Sequence, residues 1–415
     1  MRAQNAIRLT REEQAIGRGE RGLGTKLVFE QQLAVAEFFG ADRFVPITHV
    51  HLSADYEVMG EGGGAWLERW LEHGLQVSVP TTRGTQCIPR GAGERFCTSP
   101  QMASGEQETR ARLQRLGVTL LDTGSVFQGP LVPLFGEHIA WGDSGAVTYA
   151  NGALGARSNV ESGPAALAAA ITGRTPAYGF HLDASRAPTL NVHVTAELQD
   201  VADWGALGAV VGRRASGYFS VPFFEIDEGA PSSDDMKHLA AALASYGSIA
   251  MFHIAGVTPE AERYREIALS IEQSEIIEAD LVGFLEATAP AERAVELVVL
   301  GPPELSLREM EAVARLFAGR RVNEEVTVFA NTSLVQHAAA HATGTLLTLR
   351  DAGVLVLAGT NWYNSEIAAS REHFAWRRLL TNSAKLANAV HVLGYEPVLA
   401  PTHVCVEAAV SGRLP

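Results

Sequence analysis

Residues 296–330 read ELVVLGPPELSLREMEAVARLFAGRRVNEEVTVFA. They begin with an apolar run at 296–301, continue with a segment whose apolar residues recur at helical spacing, and end with an apolar run at 326–330. Short apolar strands that alternate with amphipathic helices are typical of parallel sheets covered by helices on both faces. This stretch therefore predicts an α/β fold.

The same alternation extends outward from this stretch in both directions. The apolar runs that we interpret as further strands lie at 43–52, 75–80, 207–212, 248–254 and 354–359. A chain of 415 residues is also longer than the roughly 250–300 residues at which single cores stop growing. We therefore predict several α/β/α domains with mostly parallel sheets, divided approximately at 1–176, 177–290 and 291–415.

Composition narrows the classes of function. The chain carries 47 acidic and 33 basic residues, for a net charge of −14, which argues against binding to nucleic acid or to an anionic membrane surface. No run of 18 apolar residues and no signal-peptide pattern occurs, so the expected location is the cytoplasm. Three scattered cysteines, Cys87, Cys97 and Cys405, are too few for a disulfide framework.

Residues 136–176 carry an unusual density of polar side chains just before an apolar helix. Within them, Arg157, Ser158 and Asn159 precede SGPAALAAAI, where Ser162 could cap the helix and Pro164 suits its first turn. The free N–H groups of a helix N-terminus favour an anion, so we interpret the stretch as a binding surface for a carboxylate or phosphate. The alternative is that Arg157 forms a structural ion pair and the other polar groups merely fix the loop.

A second polar constellation, TNSAK at 381–385, opens the helical pattern SAKLANAVHVLG. Its hydroxyl, amide and ammonium groups can hold an anion by charge-assisted hydrogen bonds, although a solvated helix start would look the same. Ligands of parallel sheets sit at the carboxyl ends of strands, which adds further candidates. The predicted substrate-binding residues are Thr81, Thr82, Arg157, Ser158, Asn159, Asn331, Ser333, Thr381, Asn382, Ser383 and Lys385. The candidate catalytic residues are His138, Ser144 and His253.

Several of these motifs closely resemble the large subunit of the aconitase X family. The resemblance is carried by GEHIAWGDS, NGALGARSN and GPAALAAAITGRTP, and it continues through LTREE, GADRFVPI, VPTT, FHIAGVTPEA and TNSAK, in order along nearly the whole chain. It implies an aconitase-like core of several α/β/α domains around a central cleft. It also implies dehydration of a small hydroxy acid or hydroxylated amino acid, in which a proton is taken from the carbon alpha to the carboxylate.

The resemblance further implies an iron–sulfur cluster held by three cysteines, which acts as the Lewis acid on the departing hydroxyl group. The cysteines of the family stand in motifs resembling TCxPY, LGCPH and DTC. The corresponding positions here are Gly124, Pro302 and Asn361. Because iron–sulfur clusters need thiolates, we predict no cluster, no metal and no other cofactor.

Three functions remain open at this point. The first is a cluster-independent lyase or isomerase, and the second is a noncatalytic binding or scaffold subunit. The third is a mononuclear-metal dehydratase, for which His337 and His341 stand one helical turn apart and Asp143, Glu304 and Asn361 could add ligands. The resemblance also implies a mobile domain that carries a serine base. Since no stretch of this chain matches it, we predict a separate small subunit as partner.

Overall fold

The computed structural model describes residues 7–89, 96–161, 163–287 and 293–415. In the N-terminal part, three parallel strands form a sheet in the order β3-β2-β4, and β1 pairs with β5 in an antiparallel ribbon. The strands are β1 (Phe44–Pro46), β2 (Val50–Leu52), β3 (Thr81–Arg83), β4 (Ala140–Trp141) and β5 (Arg174–Pro176). The helices are α1 (Arg11–Gly17), α2 (Leu23–Phe39), α3 (Tyr56–Glu72), α4 (Pro100–Arg115), α5 (Ser144–Gly152) and α6 (Pro164–Thr172).

The middle part contains a four-stranded, fully parallel sheet in the order β8-β7-β6-β9. Its strands are β6 (Leu190–Val194), β7 (Pro222–Ile226), β8 (His253–Ile254) and β9 (Gln273–Ile276). Its helices are α7 (Val201–Arg214), α8 (Ser233–Gly247), α9 (Ala261–Leu269) and α10 (Glu278–Glu286). The predicted domain boundary at residue 290 lies outside the described residues.

The C-terminal part contains a five-stranded parallel sheet in the order β12-β11-β10-β13-β14. Its strands are β10 (Leu297–Leu305), β11 (Thr327–Thr332), β12 (Leu355–Ala358), β13 (Arg378–Thr381) and β14 (Glu396–Leu399). Its helices are α11 (Leu307–Phe317), α12 (Leu334–Ala342), α13 (Thr345–Ala352), α14 (Ile367–Phe374), α15 (Ala384–His391) and α16 (Thr402–Ser411). The strand-helix-strand prediction for 296–330 and the α/β fold class are confirmed.

Four of the predicted strands were wrong in type or extent; one is 248–254, of which only His253–Ile254 form a strand, β8. Residues 207–212 form part of the helix α7. The run is apolar because this helix is buried on nearly every side and packs closely against α8. A Cβ at Gly208 would lie 2.7 Å from the Leu239 carbonyl oxygen, so the contact requires glycine. The run 75–80 is irregular and the strand begins only at Thr81, whereas 43–52 divides into β1 and β2, which belong to different sheets. A short apolar run does not by itself distinguish a strand from a buried helix.

The middle and C-terminal sheets are each covered by helices. In the core of the middle part, α7 and α8 pack against Val192 and Phe224 of the sheet. In the core of the C-terminal part, α11 and α16 pack against Val298 and Val328. Burial on both faces accounts for the continuous apolar runs of these strands. Among the described helices, none is long and apolar enough to cross a bilayer.

Candidate active site

A small cleft lies where the three parts of the chain meet. Its walls come from segments that follow β4, β12 and β13, from the end of β10, and from α8. Most of these segments stand at carboxyl ends of parallel strands, where α/β proteins commonly bind ligands. The residues with the most direct chemical interest are Gly124, Ser125, Asp143, Lys237, Pro302, Glu304, Asn361 and Lys385.

The three positions that correspond to cluster ligands come together in this cleft. Gly124, Pro302 and Asn361 all line it, and a Cβ at Gly124 would lie 3.6 Å from Asn361 Nδ2. None of the lining residues in the described chain carries a thiol, because Cys87 and Cys405 are buried elsewhere and Cys97 is half-buried in another segment. Glycine and proline offer no side-chain donor, and an amide is a poor iron ligand, so this donor set does not fit an iron–sulfur cluster.

Lys385 and Asp143 form an ion pair on the wall of the cleft. Lys385 stands in the first turn of α15, and its Nζ lies 3.6 Å from Asp143 Oδ2. Asp143 Oδ1 caps α5 by accepting the Ala146 N–H at 2.9 Å. Burial opposes the charge on Lys385, but Asp143 outweighs it and holds the pKa of Lys385 above its usual value. The ammonium group is therefore charged at neutral pH and can bind a carboxylate.

Glu304, near the end of β10, places a buried carboxyl group in the same cleft. Oε2 accepts hydrogen bonds from the Thr123 hydroxyl and, at 3.1 Å, from the Ser125 N–H. Burial raises the pKa of Glu304 to about 7, against the lowering effect of these donors, and the charge of Asp143 adds to the increase. Glu304 is therefore neutral in an appreciable fraction of molecules at neutral pH.

Lys237 lines the cleft, but its ammonium group is hydrogen-bonded to protein acceptors. Its Nζ donates to Asp234 Oδ1 at 3.1 Å, to the Glu304 carbonyl oxygen at 2.8 Å and to Glu309 Oε2. Three acceptors use all three ammonium hydrogens. We infer that Lys237 fixes α8 against β10 and α11, and so holds Glu304 in place from behind.

Replacing Glu309 with Gln is expected to lower the free energy of unfolding at neutral pH by roughly 3 kcal/mol, because it removes a negative charge that pairs with the buried Lys237. Burial opposes the charge on Glu309, yet the positive charge of Lys237 lowers the pKa of Glu309 to about 2. The stabilisation that the Glu309 carboxylate provides is therefore complete above the pKa of this group in the unfolded chain, and it disappears as the pH falls towards 2. Urea unfolding at neutral and acidic pH should show this difference.

The matched control is Glu324→Gln, because Glu324 is exposed. It should leave the unfolding free energy nearly unchanged at both pH values. An equal loss for the Glu309 variant at neutral and at strongly acidic pH would contradict the pairing.

The polar residues around β11 and β13 hold the backbone of the cleft. Asn331 Nδ2 donates to the Leu300 carbonyl at 2.8 Å, and Asn382 Oδ1 accepts the Gly301 N–H at 3.0 Å. Ser383 donates to the Pro302 carbonyl and also caps α15. Thr381 accepts the Ser383 N–H, and Ser333 caps α12. Of the predicted TNSAK contacts, Lys385 reaches the cleft with its side chain, whereas its neighbours position the backbone.

Thr81, Thr82, Ser158 and Asn159 are likewise bonded within the protein. Thr81 donates to the Val79 carbonyl at 2.8 Å, and Thr82 contacts His51 Nδ1 at 2.9 Å. Ser158 donates to the Asn159 carbonyl at 2.7 Å, while Asn159 donates to the Tyr178 carbonyl at 3.1 Å. None of these four belongs to the described lining of the cleft.

Arg157 and His138 form a separate polar cluster. Arg157 pairs with Asp183 and lies 3.8 Å from Glu260, as the structural alternative for this residue supposed. His138 Nδ1 lies 2.9 Å from His181 Nδ1, and burial together with this neighbour lowers the pKa of His138 to about 4. Neither Arg157 nor His138 is among the described residues that line the cleft. The predicted helix cap at Ser162 lies outside the described residues.

The other candidate catalytic residues differ in their placement. Ser144 is exposed at the start of α5, between the lining residues Asp143 and Gly145. His253 is fully buried in the middle part, where its Nε2 contacts the Arg186 carbonyl at 2.8 Å, away from the described cleft lining. His337 and His341 line a different groove, beside β12.

Sequence reasoning did not assign a role to Lys237. It considered Glu304 as a possible metal ligand, and Asp143 both as such a ligand and as part of the polar stretch 136–176. The signal for Glu304 was a single acidic residue within the otherwise apolar run LVVLGPPEL. A charge in a buried strand is uncommon unless it is paired or functional. For Lys237, the helical pattern alone gave no sign that the side chain would be buried.

Comparison with known proteins gives a consistent relationship along the chain. Family models match residues 6–184 (aconitase X first domain), 188–284 (aconitase X second domain) and 295–411 (aconitase X third domain). The phosphomevalonate dehydratase large subunit of Methanosarcina mazei is 32% identical over 98% of each chain. The cis-3-hydroxy-L-proline dehydratase of Pseudomonas aeruginosa is 31% identical over 98% of this chain and 71% of its own length. A crystal structure of Thermococcus kodakaraensis aconitase X in its holo form matches with a TM-score of 0.87 at 30% identity, covering 97% of this chain and all of that one.

Proposed function

This chain belongs to the aconitase X family, and from that premise we propose that it is a dehydratase of a small hydroxylated carboxylate that works without an iron–sulfur cluster. The observation that carries the proposal is the convergence of Lys385, Asp143 and Glu304 in one cleft built from all three parts of the chain. A cation for the substrate and a carboxyl group whose pKa lies near neutrality are what an elimination needs.

In the proposed reaction, Lys385 binds the substrate carboxylate and stabilises the negative charge that develops when the alpha proton leaves. The base that takes this proton acts from the side of the cleft where Ser144 is exposed. An isomerase would use the same proton abstraction without loss of water. The identities of the relatives favour dehydration.

The charges of the cleft favour a particular class of substrate. Its lysines are Lys237 and Lys385, and Lys237 is already bound to three acceptors. Asp143 would repel a phosphate group, but it can accept a hydrogen bond from a substrate amine. We therefore favour a hydroxylated amino acid, of the type named in cis-3-hydroxy-L-proline dehydratase, over a phosphorylated hydroxy acid.

The test is incubation of the protein, co-purified with its candidate small subunit, with cis-3-hydroxy-L-proline in deuterium oxide, followed by proton NMR. We expect loss of the alpha-proton signal and formation of the dehydrated product. A phosphorylated mevalonate serves as the comparison substrate and should react more slowly. Binding of both compounds without exchange or product would support the scaffold function and reject the dehydratase.

We also propose that a separate small subunit completes the enzyme. The relatives named phosphomevalonate dehydratase are designated large subunits, which supports this assembly. Co-expression with a candidate small subunit from the same genome should give a complex that is stable in gel filtration and increases the rate of dehydration. Full activity of the isolated chain, unchanged by the candidate, would reject the partner.

A further inference from the structure

Glu304 has one carboxyl oxygen bound and the other free. Oε2 accepts hydrogen bonds from the Thr123 hydroxyl and the Ser125 N–H. Oε1 is buried and has no hydrogen-bond partner among the described residues. The side chain is 1% exposed and lines the cleft. A buried polar atom without a partner costs roughly 1–3 kcal/mol, so a free oxygen at this place points to a ligand that supplies the missing contact.

Asn361 provides a second unpartnered oxygen in the same cleft. Its Oδ1 is buried without a hydrogen-bond partner in the described chain, and its Nδ2 would lie 3.6 Å from a Cβ at Gly124. A hydroxyl group can donate one hydrogen bond and accept others. A substrate hydroxyl can therefore donate to Asn361 Oδ1 and accept from Glu304 Oε1, provided that Glu304 carries a proton.

We propose that Glu304 is the acid that protonates the departing hydroxyl group of the substrate from its Oε1. This step rests on the dehydratase function proposed above. The bond between the alpha carbon and its hydrogen breaks, the proton passes to the base, and the electron pair forms the new carbon–carbon double bond. The carbon–oxygen bond breaks, the oxygen takes the proton of Glu304 and leaves as water. The Glu304 carboxylate then regains a proton from solvent.

The surroundings of Glu304 suit this role. Burial is the main cause that places the pKa of Glu304 at about 7, and a general acid is most effective when its pKa is near the working pH. The groups that face the carboxyl are the Thr123 hydroxyl, the N–H groups of Ser125 and Gly124, and the charges of Asp143 and Lys385. Lys237 contacts the Glu304 backbone carbonyl and leaves the carboxyl free to transfer its proton.

The experiment compares Glu304→Gln with the parent protein, each together with the candidate small subunit, on cis-3-hydroxy-L-proline. Gln has nearly the same shape and its oxygen can still accept from Thr123 and Ser125, but it cannot transfer a proton. We expect dehydration to fall about 100-fold, while exchange of the alpha proton into deuterium oxide continues. The parent should also lose dehydration activity as the pH rises through about 7, whereas the residual activity of the variant should not follow this titration.

Asp55 provides a matched control. It is also a buried carboxyl whose pKa burial raises to about 7, but it caps α3 and does not line the cleft. Asp55→Asn keeps the cap and should leave dehydration unchanged. Difference infrared spectroscopy of this variant should show a neutral carboxyl band that disappears as the pH rises through about 7 and is absent after Glu304→Gln is added.

The possible outcomes separate the acid role from the function on which it rests. Dehydration by Glu304→Gln at the parent rate, loss of exchange and dehydration together, or no titrating carboxyl band would each overturn the role of Glu304. A parent protein that neither dehydrates nor exchanges would instead reject the dehydratase, and the acid role with it, even if the carboxyl band were present.

Discussion

Replacing Lys385 with Met is expected to reduce kcat/KM about 1,000-fold, the equivalent of roughly 4 kcal/mol of lost interaction with a substrate carboxylate. Among the described residues that line the cleft, Lys385 is the lysine whose ammonium is not fully occupied by protein acceptors, since it pairs with Asp143 at 3.6 Å. The long side chain of Met should preserve packing while removing the charge. Steady-state kinetics on cis-3-hydroxy-L-proline will measure the effect.

The loss should appear both in KM and in kcat, because the same charge binds the substrate and stabilises the enolate that forms from it. Lys26→Met is the matched control, since Lys26 lies on the surface of α2. Lys385→Arg retains the charge with a different shape and should recover part of the activity. Unchanged kinetics in a folded Lys385→Met protein would mean that the carboxylate binds elsewhere.

Replacing Arg186 with Met is expected to destabilise the fold by about 3–5 kcal/mol. Arg186 is fully buried, where its guanidinium binds Glu260 and donates to the carbonyl oxygens of Phe180 and Asn151 at 3.1 and 3.0 Å. Loss of this group leaves two carbonyl acceptors and a carboxylate buried without their donor. Chemical denaturation monitored by circular dichroism provides the measurement.

The exposed pair between Arg263 and Asp183 is the control for this prediction. Both side chains are about half exposed, so removal of Arg263 should change the stability much less than removal of Arg186. If Arg186→Met were as stable as Arg263→Met, the buried network would not contribute as its hydrogen bonds suggest. Adding Glu260→Gln to Arg186→Met should recover part of the loss, because it removes a buried charge that has lost its hydrogen-bonded partner and keeps only Arg157, at 3.8 Å, nearby.

The C-terminal sheet could be predicted because several of its strands are long enough to be recognised as continuous apolar runs. LVVL and VTVFA are continuous apolar runs, and helix α11 between them places its apolar residues on one face. In contrast, α7 is buried on nearly all sides, so it lacks the helical alternation that would have identified LGAVVG. The three-residue strands β2 and β3 contain too few side chains for any periodicity.

The site was predicted in part. The correspondence of Gly124, Pro302 and Asn361 to cluster positions identified three segments that the fold brings to one cleft, and TNSAK identified Lys385. Sequence could not distinguish polar side chains that face the cleft from those that bond to backbone, as Asn382 and Ser383 do. It also could not show that Glu304 keeps one oxygen free, because this depends on contacts between residues 123–125 and 304, which are far apart in the chain.

The central claim is that this protein activates a small carboxylate with side chains in place of an iron–sulfur cluster. The most direct measurement is the iron and sulfide content of protein purified without oxygen, with its visible spectrum and its dehydration rate before and after treatment with a chelator. We predict a colourless protein with substoichiometric iron and a rate that the chelator does not change. Stoichiometric iron and sulfide with a cluster absorption band, and activity lost on chelation and restored by reconstitution, would contradict the account.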